Sequence, residues 1–451
     1  YGDAGRVSLR AKAQLPNGKV IEGVSNEFVY KPASIGMETV SSYSGDILAK
    51  AGESFFVTLQ ALNSDDQVTP NFGRETPQEL LDVMSTTTPV APSVEDGEIE
   101  NASGFTAQSV ESIRFENDSI SYSEVGSVKV TAKVADGDYL GTGPVTTEHI
   151  IGRFIPYEFE PITTEFTGLC TDFYYMGQPQ SIELSARAVN ASGDTTLNYT
   201  GPLAKATPLF YAYDSSGNQL VNHAVSYTGV WEWGDGVGQF TGAASVTVSR
   251  LSSGEPDGPF KDYILGWQLD DQEDGNFYST LQNGVLPAPN GAAELDSANL
   301  YYGRLNLQDT YAAMDDVMPI AGSLEYWDGA AFVQNRKDNC ETLANDAHSF
   351  VEGPLEPTKI IPISTASAEN GNVSPSSANI KNLLRWDAAI TDEPYSFTFE
   401  LDVPSYLKYD WPYNDDEVQD GSDYTDNPQA EGTFGIYRGR DRQIYWRELG
   451  W

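Results

Sequence analysis

Histidine and cysteine are scarce: three histidines, His149, His223 and His348, and two cysteines, Cys170 and Cys340, in 451 residues. A serine hydrolase needs a base beside its nucleophile, and no G-x-S-x-G elbow accompanies these few histidines. Zinc hydrolysis is excluded on the same scarcity, for there is no H-E-x-x-H and no Cys/His cluster. Neither a G-x-x-x-x-G-K-[ST] loop nor a strand-linked G-x-G-x-x-G is present, so no nucleotide cradle is expected. Basic residues are few, 26 against 66 acidic, for a net charge of −40. Such a surface repels nucleic acid and anionic membranes. No apolar run approaches the ~18 residues of a membrane span, and no basic start with an apolar centre marks a signal peptide. The chain starts at Tyr1, which reads as a processed product or a fragment. A glycosidase needs only two carboxylates, and among 66 acidic residues a pair can always be drawn. No catalytic residue is therefore assigned, and the reading is of a chain that is not an enzyme, its histidines structural.

What is present is strand chemistry. Apolar residues make up 39% and aromatics 12% of the chain, with 25 Tyr, too much for a disordered polypeptide. At roughly 100–200 residues per domain, the length suggests two to four domains. Period-two alternation runs through Ser54–Leu62, with Phe55, Val57, Leu59 and Ala61 on one face. It recurs in Val128–Val134 and in Ser181–Val189, where Ile182, Leu184, Ala186 and Ala188 share a face. Asn17-Gly18, Asp136-Gly137, Ser216-Gly217, Asp235-Gly236 and Asp328-Gly329 punctuate the strands. One stretch fits two states: Thr76-Pro77-Gln78-Glu79 has the form of a capping box ahead of Leu80, Leu81, Val83 and Met84, so a short helix and a strand both fit.

The chain also repeats itself. QALNSDDQVTPNF (60–72) aligns without gaps to RAVNASGDTTLNY (187–199), 127 residues later. Ala61, Asn63, Thr69 and Asn71 meet Ala188, Asn190, Thr196 and Asn198. That spacing suits serial β-sandwich modules. The expected fold is all-β, with serial immunoglobulin-like sandwiches over 1–150 and 151–295 and a C-terminal β-rich domain over 296–451.

Two kinds of site follow from composition. An even cysteine count in an exported chain predicts a Cys170–Cys340 disulfide. Calcium is the candidate cofactor. Asp270, Gln272 and Asp274, followed by Gly275, copy the first half of a calcium loop, in which alternate side chains fold around a hard cation. The bidentate Glu at the twelfth position is missing, since Leu281 stands there. A second acidic loop holds Asp410, Asp415, Asp416, Asp420, Asp423 and Asp426. A solvated acidic surface is the alternative for both. Trp231 and Trp233 stand two apart on a strand and read either as core or as a sugar-stacking surface.

Several segments resemble the C-terminal region of the MshQ family of the mannose-sensitive haemagglutinin (MSHA) type IV pilus system. They are TPNFGRE (69–75), SYSEVGSVKVTA (121–132), GRFIPYEF (152–159), YYMGQP (174–179), NYTG (198–201), PDGPF (256–260), YGRLNL (302–307), YWDGAAFV (326–333) and FGIYRGRDRQIYWRE (434–448). Their number and order, over most of the chain, carry the resemblance. It implies an extracellular, pilus-associated surface protein of a Gram-negative bacterium, with pilus subunits or other surface proteins as partners. Surface glycans are a candidate partner that the resemblance does not carry over, because the lectin-like domains of some family members are absent here. It implies no catalytic residues. The ending at Trp451 resembles a natural C-terminus. Similar proteins have a short acidic loop before the final strands. Here YDWPYNDDEVQDGSDYTDNP (409–428) carries an insertion, which puts metal geometry taken from the family in doubt.

Overall fold

The computed structural model describes residues 1–39, 47–109, 113–271, 277–279, 292–361, 366–373, 384–413 and 424–435. The described residues are strands and connections, with two short 3₁₀ turns at Gly201–Leu203 and Ser405–Leu407 and no α-helix among them. The fold is all-β, built of serial immunoglobulin-like sandwiches.

In the first sandwich one sheet orders Ile99–Glu100, Ile113–Tyr122, Phe55–Leu62 and Ser34–Thr39, with Thr106–Ser109 on the long strand. The facing sheet orders Ala49–Lys50, Thr146–Ile155, Gly126–Val134 and Leu81–Val83, joined by Thr88–Val90. The alternation read in Val128–Val134 is real burial: Val128, Val130, Ala132 and Val134 point into the core. Phe55, Val57, Leu59 and Ala61 meet them from the other sheet. Leu81–Val83 is the strand that decides the ambiguous stretch, because Leu81 and Val83 alternate into that core with Asp82 between them. The strand Thr146–Ile155 runs through residue 150, so the first sandwich closes at Ile155.

The second sandwich pairs Glu158–Thr167, Gln180–Val189, Val237–Val248 and Val225–Gly234 in one sheet. Its other sheet orders Phe173–Tyr175, Ala293–Tyr301, Phe260–Asp271 and Thr207–Tyr213, with Phe277–Ser279 beside Phe260–Asp271. Ile182, Leu184, Ala186 and Ala188 line its core with Phe159, Tyr199, Leu265 and Trp267. The third part carries a four-stranded sheet, ordered Thr310–Ala312, Gln429–Phe434, Tyr395–Leu401 and His348–Glu352, two three-stranded sheets and a two-stranded ladder around one core.

Ahead of these lies a small ribbon. Gly5–Val7 pairs Phe28–Tyr30, and Arg10–Gln14 pairs Val20–Val24.

Candidate functional site

The repeat is a hydrogen-bonding device. Asn63 Oδ1 accepts from the amides of Asp65 and Gln67 at 2.9 and 3.0 Å. Asn190 Oδ1 does the same with Ser192 and Asp194 at 2.9 and 3.0 Å. After each turn the Thr69 or Thr196 hydroxyl donates back to the Ala61 or Ala188 carbonyl. An Asn side chain substitutes for backbone in such a turn, which is why the residue recurs at that place. The turn marked by Ser216-Gly217 is a third of this kind, though the sequence repeat did not include it: Asp214 Oδ1 accepts from Ser216 and Asn218. Asp replaces Asn there and Leu220 stands in the place of the threonine, although Ser216, Gly217 and Asn222 match Ser192, Gly193 and Asn198.

The repeat also builds the joint between the first two sandwiches. Asn198 Oδ1 accepts from the amides of Val94 and Glu95, and its Nδ2 donates to the Glu95 carbonyl. The Glu124 carboxylate, from the first sandwich, accepts from the Leu197 and Asn198 amides at 2.7 and 3.1 Å. Burial raises its pKa, while these amides and its own neighbour Val125 pull the other way. Asn190 donates to the Ser123 carbonyl and Ala191 to that of Ala51. Gly52 sits at φ 78° against Ala191, where a Cβ would meet the Ala191 amide at 2.9 Å, so only glycine closes the joint. Beside it opens a cleft of about 320 Å³ with the carboxylates of Asp96, Glu98, Glu100, Glu124 and Asp194 on its walls.

The second joint, to the third part, is made of side chains. Cys170 and Cys340 are joined by a disulfide with Cα atoms 5.5 Å apart. Next to it the Tyr175 hydroxyl donates to Asp338 at 2.9 Å and accepts from Asn335. Glu341 accepts from Gln178 at 3.0 Å and from the Tyr406 hydroxyl at 2.9 Å. Asp338 and Glu341 are 0 and 2% exposed. Burial raises the Glu341 pKa to about 7, the nearby Asp338 carboxylate adding to it and the Tyr406 hydrogen bond opposing it. Arg250 donates to the Ser405 carbonyl and lies over the Tyr302 ring, 4.3 Å from its centroid.

The third part carries a groove of about 450 Å³ on the outer face of its four-stranded sheet. Strand register aligns Glu352, Thr398 and Glu431 across three strands. Asp309 flanks the row and accepts from the Glu431 amide. Tyr413, 40% exposed, closes one side, its ring stacked on Trp411 with centroids 5.8 Å apart.

The three histidines have structural partners. His149 bonds the Ile35 carbonyl, and burial lowers its pKa. His348 bonds the Arg385 carbonyl and is pushed by burial to about 4. His223 is held between the Ser249 carbonyl and Asp257. Burial depresses its pKa, but these two bonds outweigh it and the net direction is upward.

Of the proposed calcium ligands, Asp270 lies inside the strand Phe260–Asp271 and is 7% exposed. Gln272 and Asp274 fall outside the described residues, as do Asp415, Asp416, Asp420 and Asp423. Asp410 is buried, and Asp426 accepts from the Trp411 amide. Trp231 and Trp233 are half-buried, packed against the core of the second sandwich, and both line a surface cleft with Gly201, Lys205 and Thr207. Trp233 packs 4.8 Å from Tyr199 and bonds the Ala206 carbonyl, and Trp231 packs 5.2 Å from Phe240, ring centroid to centroid. Both rings lie over Gly238, where a Cβ would meet them at 2.7 and 2.8 Å. Among the described residues no helix is long and apolar enough to cross a membrane.

Among solved structures, the chain is similar to the Escherichia coli adhesin FdeC at 12% identity and a TM-score of 0.34, covering 83% of this chain and 93% of that one. It is also similar to the I67–I69 fragment of titin, at 9% identity and 0.27, covering 90 and 99%. The cadherin-like domains 1 to 4 of zebrafish RET match at 10% and 0.24, covering 96 and 83%. No curated protein matches. Family models match in chain order: the second domain of DUF6701 over residues 22–120, the third over 124–293 and the fourth over 301–449. The third-domain model begins at Glu124, ahead of the strand Gly126–Val134 that completes the first sandwich. With nearly its whole length matched by three successive domains, the chain belongs to the DUF6701 family.

Proposed function

We propose that the chain is a non-enzymatic extracellular segment, structural and adhesive, of an MSHA-type, pilus-associated surface protein of a Gram-negative bacterium. The observation that carries this reading is the pair of joints. Successive sandwiches meet through buried hydrogen bonds and a disulfide, which suits a stiff spacer that presents or anchors a partner. The disulfide fits an oxidising compartment, and the charge of −40 suits salty water outside the cell. Pilus subunits or neighbouring surface proteins are the partners in this reading. Immunogold labelling of intact cells tests it: label on pili or at their bases is expected, and label confined to the cytoplasm overturns it.

A second reading, carbohydrate binding, is favoured by the groove beside Tyr413. A tyrosine face can stack on a sugar ring, and the Glu352, Thr398 and Glu431 row offers acceptors for its hydroxyls. On a glycan array, wild-type binding that Tyr413→Ala lowers at least tenfold would support it, and a blank array would remove it. Calcium at the 270–275 or 410–426 loop remains part of the proposal. A cation bound only to the folded state raises the melting temperature, so unfolding in millimolar calcium and in chelator decides it, and equal temperatures would remove calcium from the proposal.

A further inference from the structure

The amino-terminal ribbon carries apolar side chains with nothing over them. Leu9, Val20, Ile21 and Val24 are 65, 50, 52 and 61% exposed. Strands Arg10–Gln14 and Val20–Val24 pair only with each other among the described residues. A two-stranded hairpin of this kind is marginal by itself in water.

Its sequence has a counterpart inside the first sandwich. YGDAGRVSLRA (1–11) aligns without gaps to YSEVGSVKVTA (122–132). Tyr1, Gly5, Val7 and Ala11 match Tyr122, Gly126, Val128 and Ala132, with Asp3 facing Glu124 and Leu9 facing Val130. The contacts match as well. Asn63 donates to the Gly2 carbonyl as Asn190 does to that of Ser123. The Asn71 amide donates to Asp3 at 3.0 Å as the Asn198 amide does to Glu124 at 3.1 Å. Ala4 enters the core of the first sandwich as Val125 enters that of the second. Gly5 pairs with Tyr30 as Gly126 pairs with Phe154, and Pro32 follows as Pro156 does. The outward faces carry cross-strand ion pairs in both hairpins, though at different positions: Arg10 and Lys12 with Glu22, and Lys129 with Glu148.

One thing differs. Val130, Ala132 and Val134 are buried under the facing sheet of their own sandwich, whereas their counterparts Leu9, Ala11 and Ala13 are exposed. Pairing puts Ile21 opposite Ala13 on that same bare face.

We propose that residues 1–31 are the closing hairpin of a further β-sandwich, and that its bare face of Leu9, Ala11, Ala13 and Ile21 is the seat for that module's remaining strands, carried upstream in the same polypeptide. The occupant is the apolar inner face of an antiparallel sheet, because that is what covers the matching positions at Val130, Ala132 and Val134. The family models agree in order: the second-domain match begins at residue 22, inside this hairpin, so its first strand falls ahead of that domain. The joint held by Asn198 is then used a second time, at Asn71, with Asp3 in the place of Glu124.

Hydrogen exchange read by mass spectrometry tests the proposal on the 451-residue chain and on the natural gene product extended upstream by one module. In the 451-residue chain the amides of 10–14 and 20–24 should exchange within seconds. In the extended protein the same amides should slow at least 100-fold, and Leu9→Asp with Ile21→Asp should abolish that protection while leaving the melting of the 451-residue chain unchanged. If the double variant prevents the extended protein from folding, the wild-type exchange comparison still decides. Equal exchange in both wild-type proteins, a gene with no upstream module, or protection of these amides by dimers of the 451-residue chain would each overturn the proposal.

Discussion

The joint around Asn198 is closed by backbone groups, and the joint around Glu341 by side chains. At the first, two asparagines and one glutamate satisfy amides and carbonyls that the meeting loops would otherwise bury unpaired. At the second, two carboxylates without ready access to water rely on the neutral donors Tyr175, Gln178 and Tyr406, and a disulfide holds the parts together. The first arrangement can be copied, since any module with the same turn can dock on any carboxylate set like Asp3 or Glu124. The second is particular to its site. Satisfied buried carboxylates cost desolvation and return little net stability, so the covalent bond supplies what the polar cluster does not.

Three experiments sharpen that contrast. The largest effect should follow Cys170→Ser with Cys340→Ser. A disulfide separated by 170 residues contributes about 5 kcal/mol in the chain-entropy model, and less in many real cases. Calorimetry should show the transition of the third part falling while that of the first sandwich stays in place, and equal falls would mean the joints act as one unit. Next is pH. The carboxyl of Glu341 has its folded pKa raised to about 7 from an ordinary 4.5, so its stabilising protonated form is complete below pH 4.5 and is lost as pH rises through 7. Linkage makes that about 3 kcal/mol. Glu341→Gln should flatten this slope over pH 4.5–7, and an unchanged slope would place the titration elsewhere. The smallest effect is expected from Asn198→Ala, about 1 kcal/mol for the part-buried hydrogen bonds it removes, with Asn71→Ala costing less because its one side-chain bond, to Asp3, lies exposed. Equal losses at the two positions in urea unfolding would erase the distinction between a covered and an uncovered joint.

Much of the fold was legible because its signals are local. Val128–Val134 alternates within a single strand, and Asn63 and Asn190 bond amides two and four residues on, so a short ungapped match captured a true geometric repeat. The capping box at Thr76 misled in part, because nothing in it records that Leu81 and Val83 face a sheet. The second joint was illegible for the opposite reason. Tyr175 and Asp338 stand 163 residues apart, as do Gln178 and Glu341, and no spacing rule connects them. The acidic cleft near Glu124 was hidden likewise, since its carboxylates come from two modules. Loop-like spacing pointed to Asp270, Gln272 and Asp274, and Asp270 itself lies within a strand, a place that spacing does not record.

The Cys170–Cys340 bond also has a mechanical side. In the pilus-associated reading proposed above, the chain is pulled along its length, and a module that unravels normally pays out its contour as slack. Here the residues between the two sulfurs form a closed ring, and tension crosses from residue 170 to residue 340 through one covalent bridge. Even if the strands within that ring came apart, their length, roughly 600 Å at about 3.5 Å per residue, would stay locked in the loop. Under load the middle of this chain therefore behaves as an inextensible link, and any give must come from the segments on either side of it.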